Sequence, residues 1–252
     1  MNACSSFNDY FSKQAREYAL YRPTYPAAVF SYLNSIVPGH ATAWDCGTGN
    51  GQVALALTHY FDQLYASDAS ENQVKNAAIN PKIQYFISVA ESTHLPKNSI
   101  DLITVAQAAH WFRLSEFYLE VKRVLKSGGI IAMWCYGFFQ LPKEETQLQS
   151  ALEKLYDGIE SYWPLERQLI SDCYRTIDFP FVEIEPPQIV MQKQWTVEQI
   201  VGYLSTWSAI QRYINDKGEK PIIELFDDII SSSSSPDKRI KINWPLYWRI
   251  GR

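Results

Sequence analysis

The sequence lacks paired cysteines, long apolar runs and clustered basic residues, and each absence removes a class of function. Its four cysteines stand at positions 4, 46, 135 and 173. None forms a C-x-x-C pair, so neither a zinc site nor a redox dithiol is signalled and no metal is expected. Free, buried thiols suit a reducing compartment, which makes the cytoplasm the expected location. Residues 1–23 alternate polar and aromatic side chains without the apolar core of a signal peptide. The longest apolar stretch, 130–139, is interrupted by Gly137 and falls short of the ~20 residues of a membrane helix, so it reads as a buried strand and no membrane span is expected. No run of Lys and Arg exceeds two and the net charge is -4, a balance that argues against nucleic acid as partner. No repeat is visible at a period of 20–50 residues.

What is present is an ordinary globular composition, 46% hydrophobic and 20% charged, in a chain of 252 residues that one core can accommodate. Aromatic residues are abundant, with 8 Trp and 16 Tyr. Many fall outside the first half of the chain, where they can pack a lid or line an apolar pocket.

Between residues 41 and 135 short β-rich runs alternate with helical patterns. Strands are expected at 41–45, 64–66, 83–87, 100–106 and 130–135. Between them, 52–61 carries apolar residues at helical spacing, Ser70 with Gln73 signals a cap, and 115–126 is an amphipathic helix stopped by Gly128 and Gly129. This alternation predicts a Rossmann-like, doubly wound α/β fold. With a late strand around Pro186-Pro187 and a terminal strand at 240–250, the sheet is expected to have seven strands, mostly parallel with an antiparallel edge. Helices are expected at 143–156, 166–175, 196–214 (with Thr196 and Gln199 as a capping pair) and 220–230. The chain thus reads as a single domain, 1–252. Its core covers about 38–139 plus late strands at about 181–194 and 239–250. A mainly helical lid comes from about 1–37, 143–178 and 196–236.

The chemistry concentrates where the first strand ends, at Asp45-Cys46-Gly47-Thr48-Gly49-Asn50-Gly51. Glycines serve where a backbone turns tightly and approaches a ligand. The dinucleotide fingerprint is G-x-G-x-x-G, but position 52 is Gln52 and the spacing here is G-x-G-x-G. A pyrophosphate would be repelled by Asp45, whereas a ligand carrying a sulfonium and an ammonium would be attracted; this favours S-adenosylmethionine over NAD. Asp68 ends the second strand, 17 residues after Gly51. Its carboxylate can accept from a ribose diol, or it can cap the next helix. Ala90 and Glu91, after the third strand, are placed to read an adenine edge.

This set, with Leu95-Pro96, Ile100-Asp101 and Gly128-Gly129, resembles the class I S-adenosylmethionine-dependent methyltransferases, small-molecule type. Arg22-Pro23-Thr24-Tyr25-Pro26, Gln107-Ala108-Ala109-His110-Trp111-Phe112 and Tyr203-Leu204-Ser205-Thr206-Trp207-Ser208 are similar to the trans-aconitate methyltransferase-like branch. The resemblance implies S-adenosylmethionine as cofactor and S-adenosylhomocysteine as product. Gly47, Gly49 and Gly51 would lie under the methionine part, Asp45 would face its ammonium, Asp68 would hold the ribose, and Ala90 and Glu91 would lie near adenine. Gln107 would sit near the methionine moiety. Tyr18, Arg22 and Tyr25 would fold the N-terminal arm over the site, with Arg22 on the carboxylate. Members of the family often carry an acidic residue after His-Trp-Phe, where this chain has Arg113.

For the acceptor, His110 is the candidate base or ligand, or else a structural histidine. Tyr25, Trp111, Trp207 and Arg212 are candidate acceptor-binding residues, Arg212 for its bidentate reach to a carboxylate. Trp163, Trp195, Trp244 and Trp248 read as core or lid packing. The expected activity is methylation of a small molecule, with methyl ester formation on an organic acid as the leading form. Methylation of a phenol or quinone, and a binding protein without turnover, remain alternatives; the glycine spacing and Asp45 argue against an NAD oxidoreductase.

Overall fold

The computed structural model describes residues 21, 23–233 and 235–252. The expected arm residues Tyr18 and Arg22 lie outside that set. The described chain runs α1 (Ala27–Ile36), β1 (Thr42–Cys46), α2 (Gln52–Leu57), β2 (Gln63–Asp68), α3 (Glu71–Lys75), β3 (Ile83–Ile87), β4 (Ile100–Ala106), α4 (Leu114–Val124) and β5 (Leu125–Cys135). It continues through α5 (Thr146–Ile159), α6 (Gln168–Ser171), β6 (Val190–Trp195), α7 (Val197–Ser205), α8 (Ser208–Lys217), α9 (Lys220–Ser231), β7 (Ile240–Pro245) and β8 (Tyr247–Gly251).

The main sheet is ordered β3-β2-β1-β4-β5-β8, with β1 to β5 parallel and β8 antiparallel at the edge. It is the doubly wound, Rossmann-like sheet expected from the β-α alternation. Chain order reverses between β1 and β4, so the loops after these strands flank the crevice where open parallel sheets hold ligands. Successive residues point to opposite faces. Ala43, Leu102 and Trp134 pack with Val29, Leu33 and Leu57 of α1 and α2. Trp44, Ile103 and Met133 pack with Phe117, Val121 and Val124 of α4. Strand β4 is buried on both sides, hence its nearly unbroken apolar run.

Strand count and several boundaries differ from expectation. The sheet has six strands, not seven. The seventh position is reduced to a single antiparallel bridge, Glu183 to Gly251, because Pro186 and Pro187 cannot continue a ladder. The expected terminal strand breaks at Leu246: β7 pairs with β6 in a separate ribbon, and β8 alone joins the sheet. Gly128 and Gly129 do not stop α4, which ends at Val124. They lie inside β5, where the register with β4 shifts between Ile100 and Leu102. The helix expected at 166–175 shrinks to the short α6. The helix expected at 196–214 is two helices, split at Thr206–Trp207, with a complete Thr196–Gln199 capping box opening the first. No helix among the described residues is long and apolar enough to cross a membrane.

Candidate functional site

All three glycines of the loop after β1 adopt left-handed φ angles, +68° at Gly47, +57° at Gly49 and +85° at Gly51, a region that penalises any side chain. A Cβ on Gly47 would strike Ala108, and one on Gly51 would strike the Tyr85 hydroxyl, so these two glycines permit close packing. Gly49 differs. A Cβ there would meet only Gln73 Oε1, at 3.9 Å, and would point into open space. The loop is thus a tight backbone turn with one bare edge. This is a cradle suited to the thin methionine chain of S-adenosylmethionine, and the residues present fit that group.

Asp45 is 1% exposed. Its Oδ2 accepts from Thr48 Oγ1 (2.5 Å) and the Ala54 amide (3.2 Å), and its Oδ1 accepts from Thr104 Oγ1 (2.8 Å). The expected direct contact with an ammonium is therefore corrected: the carboxylate is sealed inside, tying β1 to β4 and to the start of α2. Burial outweighs these donors, and Asp68 adds repulsion, so the carboxyl is pushed up to about 6.

Asp68, at the end of β2, is only half-buried. Its Oδ2 accepts from the Gly49 amide and its Oδ1 from the Ser70 amide, both at 2.9 Å. Asp68 thus braces the Gly49 turn and the amide of Ser70, which itself caps the next helix, while its carboxylate edges the bare side of Gly49. Ala90 is buried. Glu91 accepts from the Arg113 amide at 2.8 Å and has little exposed side chain, so Arg113 binds it to the start of α4 instead of leaving it open.

Gln107 follows β4 in a left-handed conformation, φ 56°. Its side chain pairs both ways with the backbone of Tyr136, donating to the carbonyl at 3.0 Å and accepting from the amide at 2.8 Å. Gln107 therefore locks the ends of β4 and β5 together. Tyr25 lies on the same end, its ring edge-on to Trp134 with centroids 5.5 Å apart, and its amide donates to Gln52.

Next to Gln107 opens a cleft of about 70 Å³. The expected residues His110, Trp111 and Trp207 line it, together with Tyr136, Trp163, Arg167, Tyr203 and Ser208. Arg212 does not; its guanidinium reaches the Tyr162 carbonyl at 3.5 Å. The break at Trp207 puts Arg212 on a second helix whose direction is its own. The cation on this wall is Arg167, which lies 3.9 Å over the Trp163 ring and 4.9 Å over Phe138. Trp163 thus lines the cleft as well as packing against Phe138 and Trp207, while Trp195, Trp244 and Trp248 are buried as expected. Phe138, Tyr156 and Trp207 stack behind it, with centroids 4.4 Å apart for Phe138–Tyr156 and 5.7 Å for Tyr156–Trp207. Sequence reasoning missed Arg167, and the Trp163-Pro164 pair just before it was the signal, since Pro164 ends one element and presents the next turn. His110, 8% exposed, is held well below its usual value, at about 3, by burial and then by the nearby Arg167 charge. Among the described residues no group of three or more His, Cys, Asp or Glu could hold a metal ion.

Residues 44–133 match the family model described as a methyltransferase domain. Along 98% of the chain it is 32% identical to a Dictyostelium discoideum protein named as a methyltransferase, covering 96% of that protein. A Saccharomyces cerevisiae protein named as an S-adenosylmethionine-dependent methyltransferase is 22% identical over 95% of both chains. The fold superposes with a TM-score of 0.83 on an Anaeromyxobacter dehalogenans structure described as a type II methyltransferase, at 34% identity over 92% of this chain and 97% of the other.

Proposed function

Because this chain belongs to the class I S-adenosylmethionine-dependent methyltransferases, we propose that its acceptor is a small organic acid, methylated on a carboxylate oxygen to give a methyl ester. Bound S-adenosylmethionine supplies a methyl group on a sulfonium centre and leaves as the neutral thioether S-adenosylhomocysteine. The glycine turn at Gly47, Gly49 and Gly51, with Asp68 beside it, would hold that cofactor; Ala90, Glu91 and Gln107 would frame it, and Tyr18, Arg22 and Tyr25 would close over it. Asp45 acts through the loop it braces. The cleft of His110, Trp111 and Trp207 receives the acceptor, under a lid of the helices after β5.

The observation that carries the acceptor class is Arg167. Its guanidinium lies across two aromatic faces on the cleft wall, a fixed planar cation of the kind that pairs with a carboxylate. A carboxylate needs no base, so alignment and exclusion of water can supply most of the rate. A phenol or carbon acid would need one, and a histidine held at about 3 is a poor base for it.

The test is a calorimetric titration with S-adenosylhomocysteine beside NAD and NADP, followed by a methyl-transfer screen of organic acids and phenols. Expected are binding of the first ligand alone and a product that releases methanol in alkali, as esters do. A product stable to alkali would overturn the carboxylate reading. Arg167→Gln should raise the KM for the acid at least ten-fold, and Arg212→Gln should leave it within two-fold.

A further inference from the structure

His110 sits in the single turn Ala109–Trp111 that follows β4. It lines the cleft, yet its ring makes one hydrogen bond among the described residues: Nδ1 lies 3.3 Å from the hydroxyl of Tyr174. Tyr174 is fully buried. Among the described residues that hydroxyl has one hydrogen-bond partner, His110 Nδ1. Its proton therefore has a single acceptor in reach among the described residues, Nδ1. The opposite arrangement, Nδ1–H donating to the tyrosine, would leave the hydroxyl proton buried with nothing to accept it.

The segment that delivers Tyr174 is built for this. Cys173 and Tyr174 both adopt left-handed φ angles, 56° and 57°, a conformation that side chains with a Cβ resist and that persists only when the surroundings impose it. The imposition is visible. The Cys173 amide donates to the Ile170 carbonyl at 2.8 Å and the Tyr174 amide to the Leu169 carbonyl at 2.9 Å. Arg249 of β8 clamps the Tyr174 and Ile177 carbonyls at 3.2 and 2.7 Å. Two strained residues in succession turn the ring inward, under the His110 turn.

From this geometry we infer that Tyr174 is a positioning residue that fixes His110 as the neutral Nε2–H tautomer, and that His110 gives a hydrogen bond from Nε2 to the acceptor instead of removing a proton from it. This rests on the reading of the cleft as the acceptor site. The acceptor must then arrive already ionised, since nothing on this wall takes its proton. The surroundings agree: burial and the Arg167 charge beside the ring favour a neutral imidazole over a charged one, and Cys135 and Tyr118 are the titratable groups around Tyr174.

The chain has four histidines, so long-range nitrogen–proton correlation spectra of labelled protein, with His110→Gln to assign the signal, can read this ring directly. With S-adenosylhomocysteine present, the His110 ring should show a protonated Nε2 and a bare Nδ1, unchanged from pH 5 to 8. A protonated Nδ1, or titration near pH 6.5, overturns the inference. Tyr174→Phe should move this ring alone toward a mixture of tautomers; an unmoved ring removes Tyr174 from the positioning role. With an acid identified by the screen above, His110→Gln, which keeps a donor near the Nε2 position, should recover at least ten-fold of the kcat/KM lost in His110→Ala. Equal losses would make His110 a base and overturn the inference. None of the spectral outcomes depends on finding an acceptor, and failure of S-adenosylhomocysteine to bind would count against the cofactor site, not against the tautomer.

Discussion

Replacing Asp45 by Asn should make this protein relatively more stable as pH rises. Asp45 is 1% exposed and its carboxyl is lifted from 3.8 to about 6, chiefly by desolvation. In the unfolded chain it titrates near 3.8. Between those values the folded state binds more protons than the unfolded one, so stability falls with pH. The contribution of the protonated carboxyl is fully present below about pH 4 and is gone once pH has risen through 6. At about 1.4 kcal/mol per pH unit, the interval amounts to about 3 kcal/mol. Asn carries no titrating group but retains an oxygen to accept from the Ala54 amide, and both threonine hydroxyls can rotate to suit it. Urea unfolding of both proteins from pH 4 to 7.5, without ligand and at constant m-value, isolates the effect. Any fixed cost of the substitution cancels in the difference. That difference should move in favour of Asn by about 2–3 kcal/mol across the range. A difference independent of pH, or one moving toward Asp, would refute the account of Asp45 as a buried, reluctantly charged brace.

Three further outcomes follow from the loop geometry. Gly49→Val should fold, at a cost of about 1 kcal/mol for its left-handed φ, but lose at least a hundred-fold in calorimetric affinity for S-adenosylhomocysteine; unchanged affinity would place the cofactor elsewhere. Asp68→Ala should weaken the same ligand by about 1–3 kcal/mol through loss of charge-assisted hydrogen bonds, and wild-type affinity would return Asp68 to bracing the turn through Gly49 and Ser70. Gly51→Ala should destabilise by about 1–3 kcal/mol in thermal unfolding, because its Cβ meets the Tyr85 hydroxyl at φ 85°, and Tyr85→Phe should return part of that loss; equal costs in the two backgrounds would refute the contact.

The order of strands and helices through β5 was written in local periodicity, because each strand of a parallel sheet is buried on both faces and each helix on one. The turn chemistry was equally local: three glycines that need left-handed angles, and a threonine and glutamine that cap each other at 196 and 199. Partner choice was not local. Residues 240–250 look like one strand, but whether each half pairs with β6 or β5 depends on segments far away in the chain. Pro186 and Pro187 warned that the late strand would be irregular, without saying that it would shrink to one bridge. The same distinction governs the site. The charge of Asp45 was read from the sequence, but its direction was not, since Thr104, which turns the carboxylate inward, comes from another strand. Arg212 and Arg167 are equally basic on paper; a helix break sends one to Tyr162, and two aromatic rings hold the other on the cleft wall. Sequence determined the repeating unit, the turns and the chemistry each residue carries, because these depend on neighbours along the chain. Only the tertiary structure decided which of those groups face each other, because pairing, burial and desolvation are set by residues that meet across the fold.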